Sequence, residues 1–86
     1  MDIEFDTAKD AANIARRGLS LALGRDVLLS MRVTVQDTRH TTEARFVSFA
    51  VVEGRALACV YTMRGDVHRI ISIRAASRKE RQAWLS

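Results

Sequence analysis

The chain reads as an α+β domain in the order β-α-α-β-β-β-β-α, an antiparallel meander sheet with helices on one face. Three features predict this class. Apolar residues recur at helical spacing near the start of the chain. Three alternating runs towards its end are joined by links short enough to demand hairpins. A helix-capping sequence then follows the last run. With 86 residues, 48% of them hydrophobic and 28% charged, the chain suits a single domain over 1–86. A chain of that size buries only about 60% of its unfolded surface.

The elements follow in order. Ile3-Glu4-Phe5 alternates and predicts a short edge strand. Asp6 or Thr7 then caps a helix in which Ala8, Ala11, Ala12 and Ala15 fall at i, i+3, i+4 and i+7, a stripe that Ile14 widens. Arg16-Arg17 sit in its last turn, where cations suit the helix dipole, and Gly18 supplies the C-cap. Ser20 opens a second helix from about Leu21 to Leu29, with Gly24 a weak point inside it. Met31 to Gln36 alternates strictly, as a half-buried strand does, and Asp37 to Thr42 is a polar loop. Strands over Ala44 to Val52 and Arg55 to Met63 flank Glu53-Gly54, a two-residue hairpin link. Arg64-Gly65-Asp66 turns the chain into a last strand, Val67 to Ala75, and Ser77-Arg78-Lys79-Glu80 matches a capping box.

Composition narrows the function classes. Unbroken apolar runs are short, Val27 to Leu29 being one, against the roughly 20 residues a bilayer span needs. The acidic Met1-Asp2-Ile3-Glu4 is unlike a signal peptide, so a soluble, cytoplasmic protein without membrane contact is expected. Cys59 is the lone cysteine, which precludes an internal disulfide and a multi-cysteine zinc site; no metal or cofactor is expected. Of the 14 basic residues 12 are arginine, and they are unevenly spread. Residues 1–43 carry six bases and seven acids (−1), whereas 44–86 carry eight bases and three acids (+5). Guanidinium forks match phosphate, so the second half points to nucleic acid or an acidic protein partner. An ordinary solvated surface is the plainer account of a net +4.

Several fragments resemble the BrnT toxins. Ile3-Glu4-Phe5-Asp6, Lys9, Asn13 and the basic residue before Gly18 are similar to the family's opening. Arg39-His40 leading to Glu43-x-Arg45 resembles its middle, and Arg69-Ile70-Ile71-Ser72-Ile73-Arg74-Ala75-Ala76-Ser77 with Glu80-Arg81 resembles its ending. The chain departs from the pattern at Phe5, where relatives carry Trp, and at Arg17, where they carry His. Ser20-Leu21-Ala22-Leu23-Gly24 lacks the acids of the family's helix start, and Ser30-Met31 replaces an Asp-Pro. The resemblance implies a RelE-like fold and a metal-independent ribonuclease that stops translation. It also implies a BrnA-like antitoxin of ribbon-helix-helix type, which neutralises the toxin in a hetero-oligomer and alone carries the contact with operator DNA.

Metal-free RNA cleavage needs a base for the 2′ proton, donors for the charge on phosphorus and a proton for the leaving 5′ oxygen. Strict alternation over 67–75 puts Val67, Arg69, Ile71 and Ile73 on one face and His68, Ile70, Ser72 and Arg74 on the other. Arg74 is the first candidate for phosphate charge, with Arg45 beside it and Arg69 a further candidate. Glu43 or His40 is the candidate base and His68 a weaker one. Lys9, Arg16, Arg17, Arg78, Lys79 and Arg81 are candidate RNA contacts. Each has a plainer reading: a structural ion pair for Arg69, with an acid of the first helix as the expected partner, a same-face pair for Glu43 and Arg45, and a solvent-facing loop residue for His40. Tyr61 suits the core with its hydroxyl at a rim. A rival function is a non-catalytic, protein-binding component of an antitoxin-containing DNA-binding repressor complex. A stand-alone RNA-binding domain fits less well, since only 6% of residues are aromatic.

Overall fold

The computed structural model describes residues 1–39 and 42–85. Its elements are β1 (Asp2–Glu4), α1 (Thr7–Arg17), α2 (Leu23–Leu29), β2 (Val33–Asp37), β3 (Arg45–Val52), β4 (Arg55–Arg64), β5 (Val67–Ala75) and α3 (Arg78–Trp84). The strands form one sheet in the order β1-β5-β4-β3-β2. The meander β2 to β5 is antiparallel as expected, but β1 lies parallel beside β5, which makes the sheet mixed.

Helices cover both faces, not one. Residues opposed across a ladder share a face, so Ala50, Leu57, Ile70 and Ile73 face the same way and are buried with Leu21, Val27 and Leu28 of the α2 segment. On the reverse face Phe49 and Ala58 are buried with Ala76, and the Phe49 and Trp84 rings stack 6.4 Å apart under α3. The strands of the meander are apolar on both sides, which is why a single-faced layer cannot serve them. Gly24 proves to be a packing requirement. A Cβ there would lie 2.8 Å from Ile70 Cδ1 and 3.3 Å from Cys59 Sγ, so α2 reaches the sheet only through a bare backbone. Short i→i+3 turns over Ser20–Arg25 delay the start of α2 to Leu23, and Ser20 Oγ accepts from the Ala22 N–H.

The first helix is inverted relative to the expected pattern. Asp6 caps it through its side chain and Gly18 (φ 70°) ends it, as read from the sequence. Yet Ala8, Ala11, Ala12, Ile14 and Ala15 are exposed, and its one buried residue is Asn13. Asn13 donates from Nδ2 to the carbonyls of Leu19 (2.7 Å) and Ile73 (2.9 Å). Asp10, one turn earlier, accepts from Ser20 Oγ and the Leu21 N–H. These polar anchors outweigh a stripe of alanines, each of which gains little from burial.

A second departure lies in β5. Val60 pairs with Ser72, but the next residue, Tyr61, pairs with Ile70, so Ile71 is an extra residue in β5. Such a bulge resets the alternation. Val67, Arg69, Ser72 and Arg74 share the α3 face, while His68, Ile70 and Ile73 share the α2 face. His68 therefore leaves the candidate site and Arg69 joins it.

The inversion of α1 is testable. Asn13→Ala strips two buried carbonyls of their donor and is expected to cost about 2–3 kcal/mol in urea unfolding. Ala15→Gln, on the outward side, is expected to change stability by less than about 0.5 kcal/mol. The reverse ranking would put the alanine stripe inside.

Candidate nucleic-acid interface

The bulge and the ladder registers assemble a polar row across the α3 face. Glu4 opposes Arg69, Arg69 opposes Thr62, Thr62 opposes Arg45 and Arg45 opposes Asp37, one residue from each strand. Thr62 is buried and donates its hydroxyl to the Ala44 carbonyl. Arg69 lies 3.5 Å from Glu4 of β1, not from an acid of α1. Arg45 donates from Nε to Glu43 at 3.3 Å. Arg74 lies further along β5, opposite Ala58 and on the same face, but four β4 residues from Thr62, so it is Arg69 and not Arg74 that stands level with Arg45.

Arg74 is held end-on by Glu80. Its Nη1 and Nη2 donate to Oε1 (2.6 Å) and Oε2 (2.9 Å) of that carboxylate. Glu80 is in turn fixed by the capping box, since Oε1 also accepts from the Ser77 N–H at 2.8 Å. The second Nη1 proton leans towards the Ala75 carbonyl at 3.4 Å. A guanidinium has five N–H donors, so Nε–H and one Nη2–H, the side-on fork, stay without a partner among the described residues. That fork is the geometry that receives two phosphate oxygens. The Arg74 guanidinium and the Ser77 N–H hold the Glu80 carboxyl at about 2, well below its ordinary 4.5. Glu80 likewise raises the guanidinium of Arg74, which Arg39 opposes from nearby.

Arg39 and Arg74 face one cleft of about 250 Å³ between β2 and α3, lined also by Asp37, Glu80, Phe49 and Trp84. Arg39 is clamped side-on by Asp37, Nε to Oδ1 at 3.0 Å and Nη2 to Oδ2 at 2.8 Å. Neither Arg39 nor Trp84 was legible as a site residue from spacing. Trp84 follows Glu80 by one helical turn, which was the available signal. His40 lies outside the described residues. His68 packs its ring against Tyr61 at 5.2 Å on the opposite face, where burial and then the Arg32 charge lower its pKa. Tyr61 is core, and its hydroxyl accepts from Ser48 Oγ. Burial pushes the Cys59 thiol up to about 12, which leaves it inert.

The candidate RNA contacts divide into groups. Lys9 and Arg16 border a small cleft with Asn13, Ile71 and Ser72. Arg17 and Arg81 border a larger one on the other side of α3, with Arg55, which sequence reading did not single out. Arg78 and Lys79 are exposed on the first turn of α3. Among the described residues no three His, Cys, Asp or Glu side chains gather as metal ligands, and no helix is long and apolar enough to cross a membrane.

Fold and site together define a basic α+β domain whose sheet presents carboxylate-braced arginines. Its family is identifiable: residues 5–80 match the ribonuclease toxin, BrnT, of type II toxin-antitoxin systems, and the chain belongs to that family. No curated protein matches the chain.

The Arg74–Glu80 pair has a pH signature. A carboxyl depressed from 4.5 to about 2 contributes stability that is complete above 4.5 and is lost as pH falls towards 2. Urea midpoints of the wild type are expected to fall across that window. In Glu80→Gln the fall is expected to be shallower; an equally steep fall would show that Glu80 is not ion-paired.

Proposed function

We propose that this chain is a metal-independent endoribonuclease that stops translation, with the cleft between β2 and α3 as its cutting site. The family relation supports an RNA substrate and an antitoxin partner. The observation that carries the catalytic reading is the side-on fork that Glu80 leaves open on Arg74. A guanidinium braced in this way has given up its side-chain freedom before the substrate arrives, so its donors need no reorganisation as charge develops.

In this reading the phosphate rests on Arg74, with Arg39 adding charge across the cleft; Arg45 stands next to Asp37 of the cleft wall and meets the RNA further along the sheet. The 2′-OH attacks the adjacent phosphorus, the bond to the 5′ oxygen breaks, and the products are a 2′,3′-cyclic phosphate and a 5′-OH. Glu43, held at Arg45, takes the 2′ proton; the leaving oxygen gains its proton from solvent. Arg69 shares β5 with Arg74 but does not line the cleft, so its part is to hold flanking backbone. A BrnA-like antitoxin of ribbon-helix-helix type closes the system by covering this face, and contact with operator DNA runs through the antitoxin.

The rival reading has one observation in its favour. Arg39, Arg45, Arg69 and Arg74 are all ion-paired in the free chain, as expected if they serve structure alone.

Purified protein decides between them. Cleavage of RNA in EDTA with cyclic-phosphate ends is expected, reduced about 10²–10³-fold in Arg74→Ala and about 10²-fold or more in Glu43→Ala. Induction in a bacterium is expected to arrest growth with the wild type and not with these variants. Folded wild-type protein that neither cuts RNA nor slows growth would establish the non-catalytic reading.

A further inference from the structure

The geometry points to a second anion site: a cleft walled by Arg17, Arg55 and Arg81 that binds one nucleotide of single-stranded RNA beside the cutting site. The three side chains come from separate elements, the last turn of α1, the first residue of β4 and the middle of α3. They surround a cleft of about 380 Å³, within the roughly 300–1,000 Å³ range of small-ligand sites. Its floor is apolar, with Leu19, Leu57 and Ala76, and no acidic residue lines it.

The pairing pattern sets this cleft apart. Arg39, Arg45, Arg69 and Arg74 each have a carboxylate partner. Arg17, Arg55 and Arg81 have no ion pair or side-chain hydrogen bond among the described residues, although all three are exposed and line one cleft. Like charges brought together without a counter-ion repel, and such a gathering is relieved when an anion enters. The hairpin turn fixes the backbone from which Arg55 projects. Glu53 and Gly54 both have positive φ (49° and 79°), the primed turn that fixes how Arg55 leaves the tip. Arg17 and Arg81 each have a plainer reading as a cation in the last turn of a helix, but that does not account for Arg55 or for the gathering of all three on one cleft.

The choice of ligand follows from position. Glu80 lines the cutting cleft and its neighbour Arg81 lines this one, so α3 is a wall common to both. A strand lying with its scissile phosphate at Arg74 would pass its next nucleotide over that wall. There the guanidinium groups meet the phosphate and the apolar floor meets the base. This assignment rests on the ribonuclease reading for its ligand, but it is read out by binding alone.

The test uses a 2′-O-methyl RNA oligonucleotide, which cannot be cut, and fluorescence anisotropy at several salt concentrations. Arg55 and Arg64 are the two ends of β4, so Arg55→Ala and Arg64→Ala remove the same charge from opposite ends of one strand. Arg17→Ala, Arg55→Ala and Arg81→Ala are each expected to weaken binding about fivefold or more and to lower the salt slope by about 0.7. Arg64→Ala is expected to stay within about twofold of wild type, as a position outside the RNA path should. Equal losses for Arg55→Ala and Arg64→Ala would mean a diffuse positive field and overturn the assignment, as would no RNA binding at all. Poly-glutamate that binds as tightly as RNA, with the same dependence on the three arginines, would assign the cleft to a protein instead. A chain that binds RNA in this pattern but never cuts it would sink the nuclease reading and leave this cleft standing.

Discussion

The extra residue at Ile71 is the constraint on which the rest of the molecule depends. Without it, β5 would continue its alternation past Tyr61, and one of two sets of side chains would face the wrong layer. Either Ile70 would leave the core, where it meets Gly24 of α2, or Ile73 would leave its place against α1 and α2. The bulge lets both stay buried. Its consequence on the other face is that Arg69 and Arg74 project from the same side of the sheet. Packing on one layer thus determines the charge pattern on the other.

The arginines so gathered are restrained by carboxylates. A lone flexible arginine loses up to roughly 2 kcal/mol of side-chain freedom when it is fixed on a ligand. Glu80 removes that freedom from Arg74 in advance, and the capping box removes it from Glu80. A short C-terminal helix with no buried residue of its own can therefore position a group in the sheet. It does so through the residue that also begins the helix. The inverted α1 shows the same economy of means: Asn13 and Asp10 tie it to the loop and to β5, so its orientation is set by hydrogen bonds and its alanines are left outward.

Much of the fold was legible in the sequence, because β2 to β5 carry their alternation and their turns openly. Asp6, Gly18, Gly54 and the Ser77–Glu80 box are local signals and act locally. What could not be read was non-local. The parallel seat of β1 beside β5 leaves no mark in three residues, and the bulge at Ile71 sits in a run whose residues fit either phase. Periodicity named the stripe on α1 correctly but not its direction, since alanine is too small to compel burial. At the candidate site, Arg45, Glu43 and Arg74 were visible as chemistry, and the Glu43–Arg45 pair could be read from the i, i+2 spacing, while the pairing of Arg74 with Glu80 could not. The partner of Arg69 proved to be Glu4 of the first strand, and Arg55 passed unnoticed because its neighbours Arg17 and Arg81 are distant in the chain.

Catalysis at this face depends on the open fork of Arg74. Arginine Nε–Hε signals, followed by NMR as an uncleavable RNA is added, examine it directly. The Nε–Hε signal of Arg74 is expected to move as its free donors take up a phosphate, while the signal of Arg64 at the far end of β4 stays in place. An Arg74 signal that remains fixed at saturating RNA, with the Glu80 pair unchanged, would contradict this and reduce Arg74 to a brace for α3.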